Sequence, residues 1–105
     1  MKASREDACR IDKWLWFARF CKTRTLAQKL CEAGQVDVNG TTVIRSYQTI
    51  RPGDVLTLRQ PPWIRTVTIA ALAHRRGPPA EARLLFIESA PAARLVDPAM
   101  ADRQG

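Results

Sequence analysis

The run Arg10-Ile11-Asp12-Lys13-Trp14-Leu15-Trp16-Phe17-Ala18-Arg19-Phe20-Cys21-Lys22-Thr23-Arg24 decides how this chain is read. Ile11, Trp14, Leu15 and Ala18 recur at i, i+3, i+4 and i+7, the apolar stripe of a helix with one buried face. Lys13, Trp16, Arg19 and Phe20 lie off that stripe, and Phe17 sits near its edge. Cys21 to Arg24 interrupts the pattern, and a second helix follows. Thr25 and Gln28 have the spacing of a capping box, with Thr23 as the alternative cap. Leu26, Ala27, Leu30 and Cys31 form its expected buried side, and Gly34 is placed to end it in the left-handed conformation.

Charge is concentrated in the same place. Residues 10–29 hold six cations (Arg10, Lys13, Arg19, Lys22, Arg24 and Lys29) against Asp12 alone, five of the seven net positive charges of the chain. The other eighty-five residues carry eleven positives and nine negatives. Basicity confined to one segment makes a face, and dense anions such as nucleic-acid phosphates are its natural partner. Arginine adds planar bidentate phosphate recognition, which favours Arg10, Arg19 and Arg24. Nothing in the segment supplies a base-edge code, so shape and backbone recognition of A-form RNA suits it.

Downstream the period falls to two. Val36 and Val38 flank Asp37, and Asn39-Gly40 marks a tight hairpin turn before a strand over Thr42 to Ile44. Arg51-Pro52-Gly53-Asp54 is a turn before a strand over Val55 to Leu58. After the break at Gln60-Pro61-Pro62, residues 64–71 suit a further strand. His74 to Pro79 is a loop, and Pro79 opens either a helix over Ala80 to Glu88 or a strand at Leu84 to Ile87. These elements predict an α+β domain: two or three short helices on a small, mostly antiparallel sheet. The expected organisation is residues 8–60 as the main domain, 61–88 as an extension packed on it, and 89–105 as a flexible tail.

With 105 residues, the chain is too short for a doubly wound sheet or an eight-stranded α/β barrel. No apolar run is long enough to span a bilayer, and the charged first ten residues lack the apolar core of a secretory signal. Cys9, Cys21 and Cys31 match neither a disulfide framework nor a zinc site, and His74 has no nearby nucleophile. The expectation is a reduced, cytoplasmic, non-enzymatic protein with no metal, cofactor or small-molecule substrate. Asp12 reads as a helix cap or as a carboxylate positioning an arginine. Trp14 reads as core, while Trp16 and Phe20 are open between packing on the later strands and contacting RNA.

The run from Arg10 to Phe20, then Lys22-Thr23-Arg24, Leu26-Ala27, Gly34-Gln35-Val36 and Val38-Asn39-Gly40, resembles the RNA-binding domain named after ribosomal small-subunit protein four (S-four, or alpha-L). Asp-Lys-Trp-Leu-Trp followed by Lys-Thr-Arg is similar to the ribosome-associated heat-shock protein 15 family, and Arg51-Pro-Gly-Asp matches that domain's usual turn. The likeness spans residues 8–60. It implies an S-four fold that lays two helices and a small sheet against structured RNA. It implies phosphate contacts from Arg10, Lys13, Arg19, Lys22, Thr23, Arg24 and Lys29, with Asn39 and Arg45 on the hairpin side. It also implies binding to the ribosomal RNA of the large subunit, linked to recycling stalled subunits in a heat-shock family; a monomer is the expected state. A general structured-RNA or DNA-binding module is the alternative.

Overall fold

A computed structural model describes residues 8–60 and 62–88, together with the backbone of 93–94. Two helices, α1 (Ile11–Phe17) and α2 (Arg24–Glu32), pack against each other and precede a largely antiparallel sheet. The short strands β1 (Cys9–Arg10) and β4 (Thr49–Ile50) pair ahead of α1. The main sheet contains β2 (Val36–Val38), β3 (Thr41–Thr42), β5 (Val55–Gln60), β6 (Trp63–Ile69) and β7 (Phe86–Glu88), in the order β3-β2-β5-β6-β7. A last strand, β8 (Ala93–Arg94), also pairs with β6. The α+β expectation holds.

The α1 stripe is the centre of the core. Ile11, Trp14 and Leu15 are fully buried with Leu56, Leu58, Val67 and Ile69 from the sheet. Trp14 Nε1 donates to Ala71 O at 3.0 Å, so the indole is satisfied by the chain beyond β6. Phe20 stacks on Trp14 at 5.8 Å and meets Phe86 at 4.7 Å between ring centroids. Trp16 is half-buried and lies against Phe17. Both aromatics left open by the sequence therefore pack on protein.

Helix α2 begins two residues earlier than a Thr25 cap would place it. Thr23 is the cap, its Oγ1 accepting from Leu26 N at 3.1 Å. Gln28 does not reach back to close a box, because its amide donates to the buried Asp12 carboxylate at 3.2 Å. With that phase, Ala27 and Cys31 are buried and Leu26 is 47% exposed, contrary to the expected buried side. The end of α2 is as read: Gly34 has φ 74°, Gly34 N donates to Cys31 O and Gln35 N to Leu30 O, the paired bonds of a Schellman motif.

Asn39 and Gly40 both have positive φ, which gives the hairpin turn the twist its strands need. The following strand is shorter than expected, Thr41–Thr42, although Val43 N still bonds Val36 O at 2.8 Å. Segment 79–88 holds both alternatives in series. Pro79–Ala82 is a short helix (α3), Arg83–Leu85 a 3₁₀ turn, and Phe86–Glu88 a strand. The expected tail, residues 89–105, lies outside the described residues apart from the paired backbone of Ala93–Arg94.

Candidate nucleic-acid interface

Asp12 organises the start of both helices. Its side chain has no solvent exposure, yet it is surrounded by donors. Arg10 grips it in bidentate fashion, Nε to Oδ1 at 3.1 Å and Nη2 to Oδ2 at 2.9 Å. Arg24 Nε approaches Oδ2 at 3.4 Å, Gln28 Nε2 at 3.2 Å, and Lys13 N donates to Oδ1 at 2.8 Å. Burial alone would raise the pKa of this carboxyl. Hydrogen bonds from Arg10 and Gln28 and the charges of Arg10 and Arg24 outweigh it, holding the pKa below the ordinary carboxylate value. Asp12 is therefore an anion near neutrality, and the three groups together carry one net positive charge. Arg10 and Arg24 keep 39% and 36% of their side-chain surface exposed, so each guanidinium is fixed on one side and open on the other.

A loop is bound to this centre. Ile11 N donates to Gln48 O at 2.8 Å and Asp12 N to Ser46 O at 3.3 Å, while Ser46 Oγ donates to Glu32 Oε2 at 3.4 Å. Residues 43–48 thus lie beside the α1 start, bringing Arg45 and the exposed Tyr47 with them. Arg45 donates to the Tyr47 hydroxyl, and its guanidinium sits 5.8 Å from the ring centroid. Tyr47 is an exposed aromatic next to a cation, the pairing that stacks on bases, and sequence reading passed over it. Its only signal was an aromatic residue in the otherwise polar run Arg45 to Thr49.

The remaining nominated residues divide. Lys13 and Arg10 line one cleft of about 280 Å³ with His74 and Cys9. Lys22 and Lys29 are exposed and unpaired among the described residues. The Thr23 hydroxyl is engaged as the α2 cap. Asn39 holds two turns together, donating from Nδ2 to Asp54 Oδ1 at 3.0 Å and accepting from Val55 N at 2.9 Å. Arg19 lies past the other end of α1, in the left-handed region (φ 65°), its Nε donating to Gly77 O at 2.8 Å. The structure therefore gathers Arg10, Lys13, Arg24 and Arg45 around the helix starts and puts Arg19 elsewhere.

No group of three or more His, Cys, Asp or Glu that could hold a metal occurs among the described residues. Burial pushes the Cys21 thiol up to about 11 and the Cys31 thiol up to about 12, so neither is a thiolate near neutrality. Among the described residues, no helix is long and apolar enough to cross a membrane.

A family model described as the S4 domain matches residues 9–56, the segment holding both helices, the loop and the hairpin. Fold and match together make this an S4-domain protein. Heat shock protein 15 of Escherichia coli K12 is 43% identical over 90 residues, covering 86% of this chain and 67% of that protein. The trimeric structure of Vibrio cholerae heat shock protein 15 superposes with a TM-score of 0.74 at 38% identity, covering 79% of this chain and 83% of that one. An RQC P-site tRNA stabilizing factor of Halalkalibacterium halodurans is 42% identical over 50 residues, 48% of this chain and 56% of that protein. The chain belongs to the heat shock protein 15 family.

Proposed function

We propose that the chain binds structured ribosomal RNA, on the large ribosomal subunit, through the cations held at the starts of α1 and α2. The observation that carries this reading is the buried Asp12 carboxylate, which fixes two half-exposed guanidiniums in place. Fixed donors lose little side-chain entropy when they meet a phosphate, and the planar fork suits its oxygens. Lys13, Lys22, Lys29 and Arg45 extend the positive surface around them. Residues 8–60 are the RNA-reading unit and residues 61–88 brace it. The action is occupancy by one copy in the cytoplasm: binding favours one state of the ribosomal particle, without cofactor or bond chemistry. The name of the relative from H. halodurans, a P-site tRNA stabilizing factor, supports a position where a stalled subunit still carries tRNA.

The test combines sedimentation with salt titration. The protein is expected to travel with the large subunit in a sucrose gradient at low salt. If four or five cations reach phosphates, its affinity for large-subunit RNA should fall with a log–log salt slope of roughly −3 to −4. Lys22→Glu with Lys29→Glu should weaken that affinity by about tenfold or more without altering the thermal midpoint, since both side chains are exposed. Protein found only at the top of the gradient, or equal affinity for duplex DNA, would refute the reading.

A further inference from the structure

Arg19, set apart from the Asp12 centre, has other company. Beyond the far end of α1 a hollow of about 170 Å³ is lined by Arg19, Arg65 and Arg83 over an apolar floor that includes Phe20, Ala82 and Phe86. Each arginine reaches it from a different part of the chain, and two are locked there. Arg65 on β6 lies over the Phe20 ring at 4.8 Å and is held by Glu88 of β7, Nε to Oε2 at 3.1 Å and Nη2 to Oε1 at 2.9 Å. Arg19 is fixed through Nε by the Gly77 carbonyl, which leaves both of its terminal nitrogens without a partner among the described residues. Arg83 is exposed and has no side-chain partner among the described residues. Among the described residues, Glu88 is the one carboxylate bonded to a lining group, and Glu81 of α3 is engaged with Arg75 at 3.4 Å. Three guanidiniums against one carboxylate leave two unmatched positive charges around a concavity.

We propose that this hollow is a second phosphate-binding site, occupied by the backbone of an RNA strand other than the one at the Asp12 centre. The proposal rests on the RNA-binding reading above. Phosphate is favoured over an isolated carboxylate because the donors converge from three directions, which suits a group presenting several acceptor oxygens at once. The aromatic and aliphatic floor lowers the local dielectric and strengthens each contact. The seven-residue helix α1, about 10 Å of helical rise, lies between Arg10 and Arg19, so one protein would hold two backbone segments at a set distance. Such bridging reads RNA tertiary shape and needs no base contact.

The clean variant is Arg83→Gln, because Arg83 bonds nothing that the fold needs. Binding of the full chain to large-subunit ribosomal RNA is measured across salt for wild type, R83Q, R19Q/R83Q and K22E/K29E. R83Q should reduce the magnitude of the log–log slope by about one and weaken binding roughly five- to tenfold, with an unchanged thermal midpoint. R19Q/R83Q should reduce the slope by about two. If K22E/K29E loses affinity while R83Q matches wild type in both slope and affinity, the second site is wrong and the first reading stands. If K22E/K29E also matches wild type, the first reading has failed as well. A polyglutamate peptide that binds wild type but not R83Q, with RNA binding unchanged, would overturn the proposal in favour of an acidic protein partner.

Discussion

The two ends of α1 hold arginines in opposite ways. At the start, Arg10 and Arg24 converge on one buried carboxylate, which orients them and cancels half of their charge. Past the far end, Arg19 is oriented by a backbone carbonyl and Arg65 by an aromatic face with a half-buried carboxylate, while Arg83 has no side-chain partner among the described residues. A carbonyl fixes a guanidinium without neutralising it. The first arrangement favours rigidity, with two stems tied to the core. The second favours net charge, and its members depend less on one another. Positive charge on a surface is therefore a poor guide to available charge, which is set by what holds each cation in place.

The largest effect expected from breaking this contrast is at Asp12. Asp12→Ala leaves Gln28, Lys13 N and two guanidiniums without their acceptor and opens a buried space, at a cost of about 2–4 kcal/mol in chemical denaturation. Asp12→Asn keeps the shape and one acceptor oxygen and should cost less than half as much. RNA binding by D12N separates placement from charge. The variant gains one net positive charge, so tighter binding would mean that charge alone governs affinity, while weaker binding is expected from arginines no longer held.

The sheet offers a third arrangement that sharpens the comparison. Arg59 grips Asp37 through two nitrogens at 2.8 and 2.9 Å, and Thr42 Oγ1 adds a bond at 2.8 Å. Chiefly through the Arg59 hydrogen bonds, the Asp37 pKa is lowered to about 2. A carboxyl whose pKa is lower in the folded than in the unfolded state stabilises fully above the unfolded value, and that stability is lost as pH falls through the folded one. Wild type should therefore lose thermal stability between about pH 5 and pH 2 through Asp37, with Asp12, whose pKa is also lowered, adding in the same direction. Asp37→Asn should cost about 1 kcal/mol at pH 7, and the gap from wild type should close as pH approaches 2. A gap independent of pH would show that the pair contributes through shape alone.

Local features were the legible ones. The α1 stripe, the Gly34 stop, the Asn39-Gly40 turn and the Arg51 to Asp54 turn each depend on residues within one or two turns of chain, so spacing alone reveals them. Asp12 was legible as a carboxylate that positions a neighbouring arginine, but its partners Arg24 and Gln28 were not, because both come from the next helix. The same long-range pull decided between the two caps of α2 that the spacing left open, Thr25 and Thr23. Gln28 has a buried anion to bond, so the reciprocal bond of a capping box loses the competition and Thr23 caps alone. Arg65 and Arg83 had no local signature. They meet Arg19 only because β7 pairs with β6 after the α3 turn, a fact of topology that residue spacing does not encode.

The smallest predicted effect isolates the backbone at Arg19. A side chain at φ 65° crowds its own carbonyl, whatever that side chain is, and only glycine escapes the strain. Arg19→Ala keeps the strain and loses the bond to Gly77 O, for a cost of about 1 kcal/mol. Arg19→Gly loses the same bond but relieves the strain, so it should be more stable than R19A by about 1 kcal/mol and close to wild type. Both variants lose the same positive charge, so RNA affinity should fall equally in the two while their thermal midpoints separate. Equal midpoints would mean that the left-handed turn carries no strain. The arginine would then be retained there for its tether to the 74–79 loop as much as for its charge.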